Sequence, residues 1–338
     1  MDLKTTHIDW LNIALMLGSA SLAAWLPFEV FLFSYAVLGP LHYLTEISWL
    51  HERRYFATGK FDFLWLLALG GGLFVVTFMI PWSTEALAIS WGAGLTYLAF
   101  MSALAMVLFK ELTAKIIFVL VAFMLLLGFD RQQAYLLFFA VFLPTLVHVY
   151  IFTAAFMLYG ALKSGSRPGL LAVVMLFVCG GALLFLPPTG AYAISEAARE
   201  TYRLFEVLNH QLLVLLGLGD ADLYQSRPGI ALMRFIAFAY TYHYLNWFSK
   251  TSIIKWHQVS WRRLGTIVAL WLASVALYAH DYRYGFVALY TLSFLHVYLE
   301  FPLNHQCFVG IGRELAVRWR GPSKPVRRGG RGAREPVS

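Results

Sequence analysis

Residues 133–159 read QAYLLFFAVFLPTLVHVYIFTAAFMLY, a run without a single Asp, Glu, Lys or Arg. As a helix rising about 1.5 Å per residue it would extend roughly 40 Å, more than the hydrocarbon core of a bilayer, about 30 Å. Arg131 and Lys163 stand just outside it. Such a segment buries its backbone polar groups in its own hydrogen bonds and turns apolar side chains outward on every side, which suits lipid and not water.

The same pattern recurs along the chain. Ten apolar stretches are long enough, or nearly so, to cross a membrane: residues 9–27, 28–50, 63–82, 86–109, 115–129, 133–159, 169–187, 229–249, 264–280 and 284–303. The fifth is short and is compatible with a re-entrant segment. Composition agrees: 60% hydrophobic and 13% charged residues, with mean hydropathy +0.67, exclude an ordinary soluble globular chain. The expected fold class is therefore all-α, a polytopic helical bundle with about ten transmembrane helices, occupying residues 1–312 as one domain. Met1 to Trp10 has no basic n-region, so no cleavable signal peptide is expected.

Orientation follows from the 26 Lys and Arg residues. Lys4, the loops carrying Arg53, Arg54 and Lys60, Lys110 and Lys115, Lys163 and Arg167, Lys250, Lys255, Arg262 and Arg263, and the basic tail all fall on one side. Only Arg131, Arg199, Arg203, Arg227 and Arg283 fall in the opposite loops. The positive-inside rule puts both termini in the cytoplasm, consistent with a bacterial inner membrane. The stretch 187–228 forms an outer segment whose 191–216 portion is amphipathic and expected to lie on the interface. Residues 313–338, basic and rich in Gly and Pro, are expected to be a disordered cytoplasmic tail drawn to anionic lipid. Membrane lipid is thus an expected partner, and nucleic acid is not.

Four of the apolar stretches each carry one histidine near the inner end: His42, His148, His243 and His296. All four stretches run in the same direction, and counting residues from their ends brings the imidazoles within roughly 10 Å in depth. A polar side chain at membrane depth should face the bundle interior and find a partner. Any one of these histidines is readily explained as an interhelical hydrogen-bonding group. Four at one level favour a metal centre, with a proton relay and structural polar bonding as the competing readings. Four imidazoles without thiolate suit Fe(II), Zn or Cu; a zinc ion closed by all four would be structural.

Nearby residues extend the site. Glu46 follows His42 at i+4 and Glu300 follows His296 at i+4, so each pair shares a helix face, and both glutamates are candidate catalytic, ligating or ligand-orienting carboxylates. Asn246, three residues after His243, offers an amide oxygen; His51 and His305 lie closer to the inner surface and would join only a second shell or a second metal. Tyr43, Tyr150, Tyr242, Tyr244, Trp247 and Tyr298 could line a lateral path for a lipophilic substrate, although interfacial aromatic belts explain such residues as well. Pro40 and Pro144 precede His42 and His148 and are expected to bend their helices. Cys179 and Cys307 fall on opposite sides and offer no disulfide.

Taken in order, GPLHYLTE (39–46), LVHVY (146–150), AYTYHYLNWFSK (239–250) and FLHVYLEFPLNH (294–305) resemble the histidine motifs of the bacterial and archaeal Brp/Blh-type membrane carotene dioxygenases. Glu46 stands where that family has aspartate, Tyr43 and Leu44 replace its small residues, the third motif has one histidine, and the outer segment is longer. The resemblance implies a non-haem Fe(II) centre held by His42, His148, His243 and His296, acting with O2 on an apolar polyene or lipid, with any electron donor left open. Two other readings remain: a dimetal hydroxylase or desaturase, although its clustered HxxxH and HxxHH boxes are absent, and a proton-coupled transporter, although no internal repeat is visible.

Overall fold

The structure is a computed structural model describing residues 3–81, 85–129, 132–186, 192–250, 255 and 257–320. Among these residues it is helical throughout, without a strand. In chain order the α-helices are α1 (Leu3–Trp25), α2 (Pro27–Phe33), α3 (Gly39–Glu52), α4 (Asp62–Phe74), α5 (Glu85–Leu108), α6 (Leu112–Phe129), α7 (Gln133–Leu137), α8 (Thr153–Ser164), α9 (Arg167–Phe185), α10 (Glu196–Tyr202), α11 (Glu206–Leu215), α12 (Arg227–Ser249), α13 (Trp261–His280) and α14 (Tyr282–Arg320). Eight continuous helical rods among them are long and apolar enough to cross a membrane.

Helix starts are written into the sequence. The tetrapeptide Ser-Arg-Pro-Gly opens both α9 and α12: the Oγ of Ser166 and of Ser226 accepts a hydrogen bond from the backbone N–H of Gly169 and of Gly229, each at 3.1 Å. Proline in the first turn needs no donor there, so the serine caps and the proline rigidifies. The glycine answers a different demand. At Gly229 an added Cβ would lie 2.5 Å from the carbonyl oxygens of both Asp222 and Leu223, so only a bare backbone fits under the preceding loop.

Two rods depart from regular α geometry where proline sits. The residues Ser34–Leu38, just ahead of Gly39-Pro40, and Phe138–Phe152, spanning Pro144, are wound as π-helix. Proline lacks the N–H of the i→i−4 ladder and its ring crowds the preceding turn; a wider turn relieves both. The expected bends are therefore realised as a local change of winding.

Core packing divides into two clusters. One joins α1, α2, α9 and α12 around residues such as Met16, Phe28, Leu176 and Phe238; the other joins α3, α4, α5 and α14 around Leu50, Leu66, Tyr298 and Phe301. The π-wound Phe138–Phe152 segment serves both, giving Val149 and Tyr150 to the first and Leu143 and Phe152 to the second. His148 lies on this seam.

Helix α12 is enclosed along nearly its whole length by α1, α2, α9 and the π-wound segments. It is not one of the eight apolar rods, because Arg234, His243, Asn246 and three tyrosines dilute its hydropathy. At the opposite extreme, α6 packs on α5 and leaves Ile117, Leu120 and Met124 more than half exposed. It is helical where a re-entrant segment was an option, though shorter than a full span. Apolar side chains facing outward in this way are what a bilayer would cover.

The last helix differs from expectation. It continues beyond residue 303, and beyond the boundary set at Arg313, as far as Arg320; the rest of the expected tail, 321–338, lies outside the described residues. Two short helices, α10 and α11, lie within the 187–228 stretch, and α10 is capped by Ser195, whose Oγ accepts from the Ala198 N–H at 3.2 Å.

Candidate metal centre

Four helical rods deliver one imidazole each to a common point: His42 from α3, His148 from the π-wound segment, His243 from α12 and His296 from α14. One ligand atom from each lies within 4.8 Å of the others. The Nε2 atoms of His148 and His296 are 3.1 Å apart, and so are those of His243 and His42. None of the four side chains is more than 7% exposed.

The donor set fits a metal ion. With metal–nitrogen bonds of about 2.1 Å, neighbouring ligand atoms stand roughly 3.0–3.4 Å apart, so the two close pairs already have that spacing. The outer ring nitrogens point the same way. Thr153 Oγ1 lies 2.8 Å from His243 Nδ1, and Glu300 Oε2 lies 3.1 Å from His148 Nδ1. A partner that accepts the Nδ1–H leaves the Nε2 lone pair free for a metal. A buried group of four histidines so arranged could hold a metal ion.

The carboxylates divide between two positions. Glu46 Oε2 stands 3.0 Å from His42 Nε2, the ring nitrogen that faces the other histidines. Glu300 does not serve its own helical neighbour His296, as the i+4 spacing suggested; it reaches across to His148. Both glutamates are buried and both border one cavity.

That cavity, of about 690 Å³, runs from His42, His243, Glu46 and Glu300 past Asn246, Trp247, Phe156, Met157 and Leu303 to a mouth at Asp9, Lys163 and Lys250. The cavity therefore extends along the bundle toward the helix ends that carry Asp9, Lys163 and Lys250. The aromatic expectations sort accordingly. Trp247, whose indole N–H donates to Thr45 Oγ1 at 2.9 Å, packs 5.6 Å from the His42 ring. Tyr244 and Tyr43 pack on His42 and His296 at 5.3 and 5.4 Å. The other three turn elsewhere: Tyr150 donates to the Leu176 carbonyl, Tyr242 to Asn12 Oδ1, and the Tyr298 hydroxyl pairs with Thr96. Their rings fill the cores on either side of the site.

Asn246 does border the cavity, with its Oδ1 buried and without a hydrogen-bond partner. His51 and His305 do not join the cluster. His51 Nδ1 meets the Tyr55 hydroxyl at 3.3 Å, and His305 lies against Phe100, its Nε2 2.9 Å from that residue's carbonyl oxygen. Thr153 was not anticipated. It follows His148 by five residues, a separation that α-helical spacing places off the ligand face; in a π-helix the i→i+5 bond stacks such residues one turn apart. In the sequence Lys250 serves only as a topology marker and Asp9 carries no signal.

No protein-family model, no curated protein and no solved structure matches this chain.

Proposed function

We propose that this protein is an integral membrane non-haem iron oxygenase that acts on a polyene or lipid substrate. The observation that carries the reading is the four-imidazole cluster with Glu46 and Glu300 beside it, bordering a cavity large enough for a ligand. In a bilayer all ten long helices, α12 and the shorter α6 included, would span or enter the hydrocarbon, with the Lys163 and Lys250 end of the bundle facing the cytoplasm, as the charge asymmetry requires.

Fe(II), when bound, would supply an electron-rich centre that reacts with O2. The chain's residues would do the rest. His42, His148, His243 and His296 hold the ion. Thr153 keeps His243 oriented by a hydrogen bond at Nδ1, and the Glu300 carboxylate, 3.1 Å from His148 Nδ1, places a negative charge beside that ring. Glu46 Oε2, beside the ligand atom of His42, is placed to accept or return a proton at the open side of the cluster. Tyr43, Tyr244 and Trp247 pack against the imidazoles and limit water. Cleavage of a carbon–carbon double bond by O2 to two carbonyls draws all its electrons from the alkene and needs no external donor; insertion of a single oxygen would require one.

The dimetal reading has one observation in its favour: Glu46 and Glu300 both border the cavity beside the histidines, so carboxylate ligands are at hand. Elemental analysis of purified protein decides. Near-stoichiometric iron in the wild type, lost in His148→Ala and His243→Ala, is expected; two equivalents would favour the dimetal site, and zinc or no metal from metal-replete cells would overturn the oxygenase.

A further inference from the structure

The cavity is not uniformly apolar. Its middle is walled by Phe156, Met157, Trp247 and Leu303, while its mouth carries Lys163, Lys250 and Asp9. Neither lysine forms an ion pair among the described residues; Lys163 rests its ammonium over the Tyr159 ring at 5.7 Å. Asp9 is engaged by the Ser166 hydroxyl, which donates to it at 2.5 Å. Two cations against one hydrogen-bonded carboxylate leave the mouth positive.

Lys250 belongs to the ligand helix itself. It follows His243 by seven residues, two turns, so its backbone lies about 10 Å from that of the ligand along the axis of α12. Asn246, with its unpartnered Oδ1, lies between them. The arrangement is a positive ring, an apolar throat and a polar floor. A wholly neutral hydrocarbon would leave one positive charge of the mouth unmatched, whereas one charged head followed by an apolar chain satisfies every zone.

We propose that the cavity binds a single-chain amphiphile with an anionic headgroup, a carboxylate or phosphate, whose head pairs with Lys250 and Lys163 and whose chain extends to the histidines. The head would then set which carbon meets the metal site, by the fixed offset between Lys250 and His243. This deepens the oxygenase reading and depends on it for what happens at the floor of the cavity; binding itself requires no metal.

The test is displacement of cis-parinaric acid, a fluorescent polyene fatty acid, from full-length protein in phosphatidylcholine nanodiscs, with lauric acid, dodecyl phosphate and dodecanol as competitors. In the wild type the acid or the phosphate should compete at least tenfold better than the alcohol, and the better of the two identifies the head. In a Lys163→Gln/Lys250→Gln double variant the probe should bind more weakly and that advantage should vanish, while the inhibition constant of dodecanol, corrected for the probe's own affinity, stays unchanged, which also shows that the variant is folded. Asp9→Asn should enlarge it. Equal competition by acid, phosphate and alcohol in the wild type, no binding of the probe, or a full anionic preference in the double variant would each overturn the proposal. Measured on iron-loaded and iron-free protein side by side, binding without iron content would leave the pocket standing and the oxygenase refuted; iron without binding would do the reverse.

Discussion

Glu300 Oε2 and His148 Nδ1 meet at 3.1 Å across the seam between α14 and the π-wound Phe138–Phe152 segment. The carboxylate therefore brings the helix that carries His296 against the outer nitrogen of His148. Such a contact makes the two histidines dependent on one another's position.

Replacing Glu300 with glutamine keeps the shape but removes the charge that stands 3.1 Å from His148 Nδ1. Metal affinity is expected to fall about tenfold or more, read as iron retained against a graded chelator. Retention equal to wild type would mean that Glu300 plays no part in orienting His148.

Thr153 offers a finer probe of the same effect at His243. Thr153→Val should weaken metal retention by roughly tenfold and Thr153→Ser should restore most of it, because the hydroxyl rather than the methyl meets Nδ1. If valine is tolerated as well as serine, the hydroxyl is incidental.

The four ligands and the remaining buried histidine separate cleanly. His42→Ala or His296→Ala should abolish both bound metal and activity, whereas His305→Ala, whose ring nitrogen sits at the Phe100 carbonyl, should keep stoichiometric metal and lose only stability. Metal analysis beside a thermal melt checks both halves.

At the helix starts, Gly229→Ala would press a methyl onto two carbonyl oxygens and is expected to cost about 1–3 kcal/mol. Gly181→Ala, in α9 with nothing within 4 Å of the added Cβ, should be neutral or stabilising by up to about 1 kcal/mol. Melting temperatures of the two variants should move in opposite directions.

The helices and the four clustered histidines were legible in the sequence for the same reason. In a long apolar run every residue is under pressure to be apolar, so a lone histidine at matched depth stands out, and His42, His148, His243 and His296 do meet. What escaped notice depended on phase or on tertiary contact. Thr153 comes into register only through π winding, which Pro144 hints at without specifying. Glu300 was assigned to His296 because helical spacing shows same-helix neighbours and is blind to the helix across the seam. Tyr150, Tyr242 and Tyr298 share motif windows with the ligands yet point into the cores, since adjacent residues on a helix face different ways. The cavity mouth combines the ends of α1, α8 and α12, which no local window contains.

The enclosure of α12 bears on how the chain is made. With Arg234, His243 and Asn246 along its length, this helix would enter lipid poorly by itself, at a cost of about 3 kcal/mol for a centrally placed arginine alone. The helices that wrap it, α1, α2 and α9, all precede it in the chain and leave the ribosome first. For the membrane protein proposed above, synthesis order would prepare a protein-lined berth before the least lipid-compatible segment arrives, and moving α12 to the N-terminus by circular permutation should impair insertion even though every native contact would remain available.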